Sequence, residues 1–346
     1  MINEICSEFK SGKNIKADSI SENGEYPVFG GNGLRGYTAS YNHEGLYVLI
    51  GRQGALCGNV RSVNGKTYIT EHAIAAAGNE KSNTSFLHYL FLKMNLGQYS
   101  DQSAQPGLAV NKLLKLEVSL PTISEQKKIA KLLSLLDERI TTQNKIIDKL
   151  QSLIKGIVDC TILRKEKNAI VGDVCSISEQ IRAEANIDDI ITVRLHGNGV
   201  CKSSAENLQL GATQYYRRRA GQLIYGKQNF HNGAIGIVPI SLDNGITSKD
   251  IPSFDIDEMK CNSVYLLAQL QSPQYYKPAE ALTTGTGSKR LKEETFLKMP
   301  IVLPNKREQD NIAVLIHRAS MNLDHAKRLL ELLSIQKQFL LRQMFI

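Results

Sequence analysis

Apolar residues at positions 129, 133, 136, 140, 147, 150 and 157 fall at steps of three, four or seven, and the residues between them are rich in Lys, Glu, Gln and Ser. That spacing predicts a long helix carrying one narrow apolar stripe, an a/d seam that needs a partner helix. The positions 183 residues later hold Ile312, Ile316, Ala319, Leu323, Leu330, Leu333 and Leu340. Both stripes follow the same opening. It reads Leu120-Pro121, Glu125-Gln126, Ile129 and Ala130 in the first copy, and Leu303-Pro304, Glu308-Gln309, Ile312 and Ala313 in the second. The chain therefore reads as a tandem duplication. One helix should run to about Arg164 and the other to the C-terminus, each roughly 60 Å long at about 1.5 Å per residue.

Ahead of each helix the pattern changes to short strands and glycine-rich loops. In the first half Leu46 to Gly51 predicts a buried strand and Gly30-Gly31-Asn32-Gly33 a turn, while Phe86 to Met94 carries a helical apolar face. In the second half Val171-Gly172-Asp173-Val174-Cys175-Ser176 echoes Ile2-Asn3-Glu4-Ile5-Cys6-Ser7, which sets the boundary near residue 169, and strands are predicted at Gln222 to Tyr225 and Ala234 to Val238. The expected organisation is a globular part at 1–113, a helical region at 114–168, a second globular part at 169–296 and a second helical region at 297–346. Antiparallel pairing of the helices would give a pseudo-twofold rod with a globular part at each end. The helices keep register while the globular parts diverge, so divergence is concentrated in whatever those parts contact.

The 346 residues are 42% hydrophobic and 22% charged, ordinary values for a globular protein and against wholesale disorder. No run of eighteen apolar residues occurs, and Met1 to Lys13 lacks an apolar stretch after basic residues, so neither a membrane span nor a signal peptide is expected and the cytoplasm is the default. Cys6, Cys57, Cys160, Cys175, Cys201 and Cys261 show no paired spacing, which predicts reduced thiols rather than disulfides or zinc. The formal charge of +8 favours a polyanionic partner.

Catalytic signatures fail on inspection. Gly221 to Gln228 meets the phosphate-loop spacing through Gly226-Lys227, but Gln228 stands where Ser or Thr would hold magnesium, and Leu223-Ile224-Tyr225 reads as a strand. No glycine-rich Rossmann turn or Asn/Asp-Pro-Pro-aromatic motif for methyl transfer is present. Glu258-Met259-Lys260, with Asp243 or Asp250 upstream, is read as surface charge rather than a nuclease set, and His72 and His231 as polar loop or core residues.

Loops dense in glycine and in base-reading side chains remain. The first half offers Asn32, Arg35 and Tyr37 within Gly30 to Tyr37, Arg52 and Gln53 beside Asn59 and Arg61, and Gln105. The second offers Tyr216-Arg217-Arg218-Arg219, Lys227-Gln228-Asn229 with His231, and Ser288-Lys289-Arg290. Glycine lets backbone approach phosphate closely, Arg pairs bidentately with guanine, and Asn or Gln with adenine. The triple arginine is expected to be the densest positive patch. Occurrence of such loops in both halves favours double-stranded DNA as the partner.

Gly-Gly-Asn-Gly-Leu-Arg-Gly-Tyr (30–37), Leu-Ile-Gly-Arg-Gln-Gly (49–54) and the two Leu-Pro, Glu-Gln-x-x-Ile-Ala openings resemble the specificity (S) subunits of Type I restriction-modification systems over essentially the whole chain. The resemblance implies an α+β fold with two α/β target recognition domains joined by two long helices paired as an antiparallel coiled coil. It implies a subunit without catalysis or bound cofactor, each domain reading half of a bipartite DNA target and the helices setting the spacer. Its implied partners are two modification (methyltransferase) subunits, which bring S-adenosylmethionine for adenine methylation, and restriction (motor-nuclease) subunits, which bring ATP and magnesium. A chain that starts on its first recognition domain and ends on its last helix would lack the terminal segment some members add. The competing readings are a scaffold or decoy that does not read DNA, and a stand-alone DNA-modifying enzyme.

Overall fold

The computed structural model describes residues 1–101, 107–203, 213–285 and 289–345. It divides into two compact units, one of Met1–Asn144 with Arg328–Ile346 and one of Lys145–Lys327.

In the first unit the turn α1 (Ile2–Ile5) leads into β1 (Cys6–Ser11), the hairpin β2 (Tyr26–Gly30) and β3 (Gly33–Thr38), and the short β4 (His43–Glu44). Then come β5 (Tyr47–Gly51), β6 (Val60–Val63), β7 (Lys66–Ile69), β8 (Ala73–Gly78), α2 (Thr84–Met94), α3 (Val110–Leu113) and α4 (Ile123–Val158). One sheet has the order β1-β8-β5-β6 and another β3-β2-β7-β4. The expected α/β domains prove to be α+β: these neighbours pair antiparallel except β2 with β7, and no α-helix lies between β1 and β8 to make the crossovers of a parallel sheet. β5 is apolar throughout because both of its faces are covered. Val48 and Ile50 enter a core with Phe86, Leu87 and Phe91, while Leu49 enters another with Val63 and Ile69. The strand and helix expected at 46–51 and 86–94 are found within a residue or two, and Asn83 caps α2 by accepting from the Phe86 N–H.

α4 opens with a capping box. The Thr122 N–H and hydroxyl both donate to Glu125 Oε2, at 3.0 and 2.8 Å, while the Glu125 N–H points back at Thr122 Oγ1. Leu133 and Leu136 of the predicted stripe are buried with Leu333 in the core of this unit. Residues 328–343 run against 123–144 in the opposite direction: Ile129 lies near Gln343 and Phe345, and Leu136 near Leu333 and Gln336. Asp137 joins three elements, taking the Tyr89 hydroxyl of α2 at 2.9 Å and Lys337 Nζ at 2.5 Å.

His88 of α2 is largely buried, its Nδ1 has no hydrogen-bond partner among the described residues, and desolvation pushes its pKa down to about 4. The neutral ring is the folded form, while an unfolded chain protonates near the ordinary value. Stability from this group is therefore complete above about pH 6.5 and lost as pH falls toward 4. Between pH 7 and 5 the loss should be about 1–2 kcal/mol. Urea titrations at both values should show it for the wild type and not for His88→Gln; equal losses would place the titration elsewhere.

In the second unit the elements are β9 (Ala169–Ile170), β10 (Cys175–Ile177), β11 (Arg182–Ala183), β12 (Ile191–Val193), β13 (Val200–Lys202), β14 (Tyr215–Arg217), β15 (Leu223–Tyr225) and β16 (Ile235–Ile237). β17 (Ile246–Ser248), β18 (Ser253–Ile256), α5 (Ser263–Leu270), α6 (Pro273–Tyr276), α7 (Glu293–Leu297), β19 (Pro300–Ile301) and α8 (Lys306–Gln343) follow. Its main sheet has the order β10-β18-β15-β16, and a second sheet is β11-β14-β17. In chain order the main-sheet strands are thus arranged first, last, second, third, as β1, β8, β5 and β6 are. Tyr225, Phe230, Phe254 and Phe296 pack edge and face in the core, with Tyr225 and Phe296 centroids 4.7 Å apart. Val158 and Ile162 share that core with Ile312, Ala313 and Ile316 of α8, and Lys165 pairs with Glu308. The first long helix ends about where expected: α4 passes at Val158 into a π-helical turn over Asp159–Leu163, and the helical run closes at Arg164.

Candidate nucleic-acid interface

The first candidate surface gathers at the tip of the β2–β3 hairpin. Gly33 has φ +110, and a Cβ there would lie 2.5 Å from Arg61 Nη1, so the bare turn is what lets the Arg61 guanidinium lie across it. A Cβ on Gly31 would meet the His72 carbonyl at 2.7 Å and the Gly51 Cα at 3.3 Å, so the tip presses on the end of β5. Arg35 packs under Gly30. Arg52 is held by its backbone, its N–H donating to the His72 carbonyl and its carbonyl accepting from the Leu108 N–H, both at 2.9 Å. Gln53 Oε1 faces His72 Nδ1 at 3.0 Å.

Arg35, Arg52 and Arg61 thus stand on segments that meet at one turn, the Arg61 guanidinium lying on the turn itself, with Asn32 and Gln53 exposed beside them. Among the described residues none of the three arginines has a carboxylate partner, and Arg61 Nε is buried without any. Clustered cations without counterions favour an anion, and forked donors match phosphate or guanine. Tyr37 sits at the other end of β3, opposite Pro27, away from the corner. Arg61 is a better member of the set than its sequence suggests. Its partner turn is 28 residues away, and no local pattern announces that contact.

In the second unit the triple arginine is not one patch. Successive residues of an extended segment point to opposite faces, so Arg217 and Arg219 are exposed while Arg218 is 0% exposed. Arg218 Nε donates to Thr247 Oγ1 at 2.8 Å, Nη1 to Ser253 Oγ at 2.9 Å and Gln180 Oε1 at 3.3 Å, and Nη2 to the Ile251 carbonyl at 2.9 Å. Its guanidinium also lies 5.7 Å from the Tyr216 ring. Arg218 is therefore withdrawn from the expected contact residues: its donors are spent inside the protein. Arg217 instead lines a polar cleft of about 500 Å³ with Arg182, Asn186, Asp189, Asp243 and Asn244. Arg182 and the two asparagines were not expected there. They lie up to 62 residues apart in sequence and are brought together by the pairing of β11, β14 and β17.

Lys227 occupies the place in its sheet that Arg52 has in the other. Its N–H donates to the Asp250 carbonyl and its carbonyl accepts from the Leu291 N–H, both at 2.9 Å. Gly226-Lys227-Gln228 is thus the counterpart of Gly51-Arg52-Gln53 rather than a damaged phosphate loop. Its ammonium is taken by Glu293 at 2.7 Å and its side chain is only 12% exposed. Lys289 and Arg290 meet Glu280 and Asp250 at 3.6 and 3.2 Å, exposed pairs that a phosphate could displace. Gln228 and Asn229 are exposed, and His231 Nε2 lies 3.3 Å from the Asn232 amide with Nδ1 buried. Gln105 and Ser288 lie outside the described residues. Among the described residues no group of His, Cys, Asp or Glu could hold a metal ion, and no helix is long and apolar enough to cross a membrane.

Sheets set against long helices, with guanidinium and amide groups on glycine turns, are an architecture suited to recognising a polyanion. Residues 1–152 match the sequence family described as the Type I restriction modification DNA specificity domain. The Escherichia coli Type I restriction enzyme EcoprrI specificity subunit is 45% identical over 145 residues, which cover 41% of this chain and 35% of that protein. The match therefore spans about a third of the relative's own length. The crystal structure of a Type I restriction-modification S subunit from M. genitalium superposes with a TM-score of 0.74 at 15% identity, covering 100% of this chain and 95% of that one. A chain from a structural study of complex assembly and conformational transition in the type I R-M system gives a TM-score of 0.52 at 12% identity, covering 99% and 96%. The family match covers residues 1–152, and the whole chain has the mixed helix and sheet fold seen in the Type I S subunit from M. genitalium.

Proposed function

We propose that this chain is the non-catalytic DNA-reading subunit of a Type I restriction-modification complex. Recognition domains at 1–113 and 169–296 each read one half of a bipartite target. The helical regions at 114–168 and 297–346 pair as an antiparallel coiled coil, set the spacer, and carry two modification subunits that bring S-adenosylmethionine. Restriction subunits with ATP and magnesium complete the complex. The observation that carries the reading is the shared plan of the two units, the same strand order and the same bracket around Arg52 and Lys227, joined to different surface side chains. A common frame with different exposed groups suits two domains that read different sequences. The contacts would come from Asn32, Arg35, Arg52 and Gln53 with Arg61 in one domain. In the other they would come from Tyr216, Arg217, Arg219, Gln228, Asn229, Lys289 and Arg290.

Methylome sequencing of a host expressing this chain with its modification subunit should find a split, asymmetric adenine-methylated motif. Inserting seven residues after Asn144 and seven after Lys327 keeps the heptad phase and adds about 10 Å of helix, close to three base pairs. The spacer should lengthen by about that much with both half-sites unchanged. An active complex that methylates no split motif, or keeps its spacer after the insertions, would overturn the reading.

A further inference from the structure

Gln126 and Gln309, the second residue of each repeated Glu-Gln pair, are 0% and 1% exposed. Gln126 Oε1 accepts from the Asn83 N–H at 2.8 Å, and its Nε2 donates to the Lys81 and Pro121 carbonyls, both at 2.9 Å. Gln309 repeats the arrangement, accepting from the Asn262 N–H at 2.9 Å and donating to the Lys260 and Pro304 carbonyls at 3.1 and 2.8 Å. Asn83 and Asn262 are themselves the caps of α2 and α5. Each glutamine thus joins three segments: its own long helix, the Leu-Pro turn before it, and the loop that starts the domain's principal helix.

The chain length between cap and glutamine differs, 43 residues in one unit and 47 in the other, yet the contact is the same. The neighbouring glutamates do something else. The Glu125 and Glu308 N–H groups face the caps Thr122 and Asn305, at 3.4 and 3.0 Å, which starts the helix without touching the domain. Both amide hydrogens and the amide oxygen are used in a buried place, so no other side chain can take over. Glutamate would set a carboxylate against two carbonyls, and asparagine is one methylene short.

We infer that Gln126 and Gln309 are positioning residues that fix the angle of each recognition domain on its own helical region, and with it the separation at which the two half-sites are read. The second clause rests on the function proposed above; the first does not. Methionine matches glutamine in size without its hydrogen bonds, so Gln126→Met and Gln309→Met isolate the clasp. Hydrogen exchange on the full chain should show the Asn83 or Asn262 amide exchanging about tenfold faster or more, with β5 and β15 amides unchanged. In complex with the modification subunits, binding to targets of fixed half-sites and varied spacer should lose its preference, the best and the next spacer coming within about twofold, while base preferences within each half-site stay. Unchanged exchange would overturn the clasp. Fast exchange with an undiminished spacer preference, or half-site preference lost in parallel, would overturn the positioning role. A wild-type complex with no spacer preference would instead sink the bipartite reading, and the exchange result would still decide the clasp.

Discussion

Arg218→Met is expected to destabilise the second unit by about 3–5 kcal/mol, whereas Arg217→Ala and Arg219→Ala should each change stability by less than about 0.5 kcal/mol. Burial pushes the Arg218 pKa down to about 10, still far above neutrality, so the group is charged and its donors must be satisfied. Four oxygens take four of its five N–H donors, none of them a carboxylate. Removing the guanidinium takes a donor from Ser253 Oγ and from the Ile251 carbonyl, at about 1–3 kcal/mol for each one that finds no replacement, while the exposed Gln180 turns to water. Thr247 already donates to Ile251 at 3.0 Å, which keeps the sum near the lower end of that arithmetic. The flanking arginines should behave in the opposite way, weakening DNA binding and flattening its salt dependence by about 0.9 log unit for each phosphate no longer neutralised. Urea denaturation and binding across a salt series separate the two. An Arg218 variant at full stability with reduced DNA affinity would reverse the assignment.

The same residues show what is legible in the sequence. The helices can be read because an a/d seam needs only local spacing, and the caps because Thr122-x-x-Glu125 is a local signal. Arg217-Arg218-Arg219 reads as a sum of charges, although an extended segment of period two cannot turn three successive side chains to one face. Strand alternation, applied there, sets Arg218 apart. Arg182, and the contact that gives the already named Arg61 its place, are out of reach for a different reason: each matters through a neighbour on another strand, and the pairing that supplies it is fixed by the packing of whole sheets. The equivalence of Gly51-Arg52-Gln53 and Gly226-Lys227-Gln228 is hidden because the globular parts do not share the 183-residue offset of the helices. Only the common backbone bracket reveals it.

The largest effect expected in the first unit comes from a residue with no side chain. Gly33→Val places a branched side chain where φ is +110, a strain of about 1–3 kcal/mol, and drives its Cβ into the Arg61 guanidinium. The hairpin tip and Arg61 cannot both stay in place, so the Arg61 guanidinium should leave the turn that Arg35 and Arg52 flank. If that corner grips DNA, affinity for the specific target should fall by about ten- to a hundredfold, the range set by removing one or two strong base or phosphate interactions. Arg61→Ala leaves the turn relaxed and removes only the guanidinium, so it should reproduce most of the loss while melting like the wild type. The double variant should then lose little beyond Gly33→Val alone, because both changes act on the same interaction and their effects cannot add. Additive losses would mean that the glycine and the arginine serve DNA binding separately. A neutral Arg61→Ala beside a defective Gly33→Val would reduce the glycine to a requirement of the turn and remove the corner from the interface.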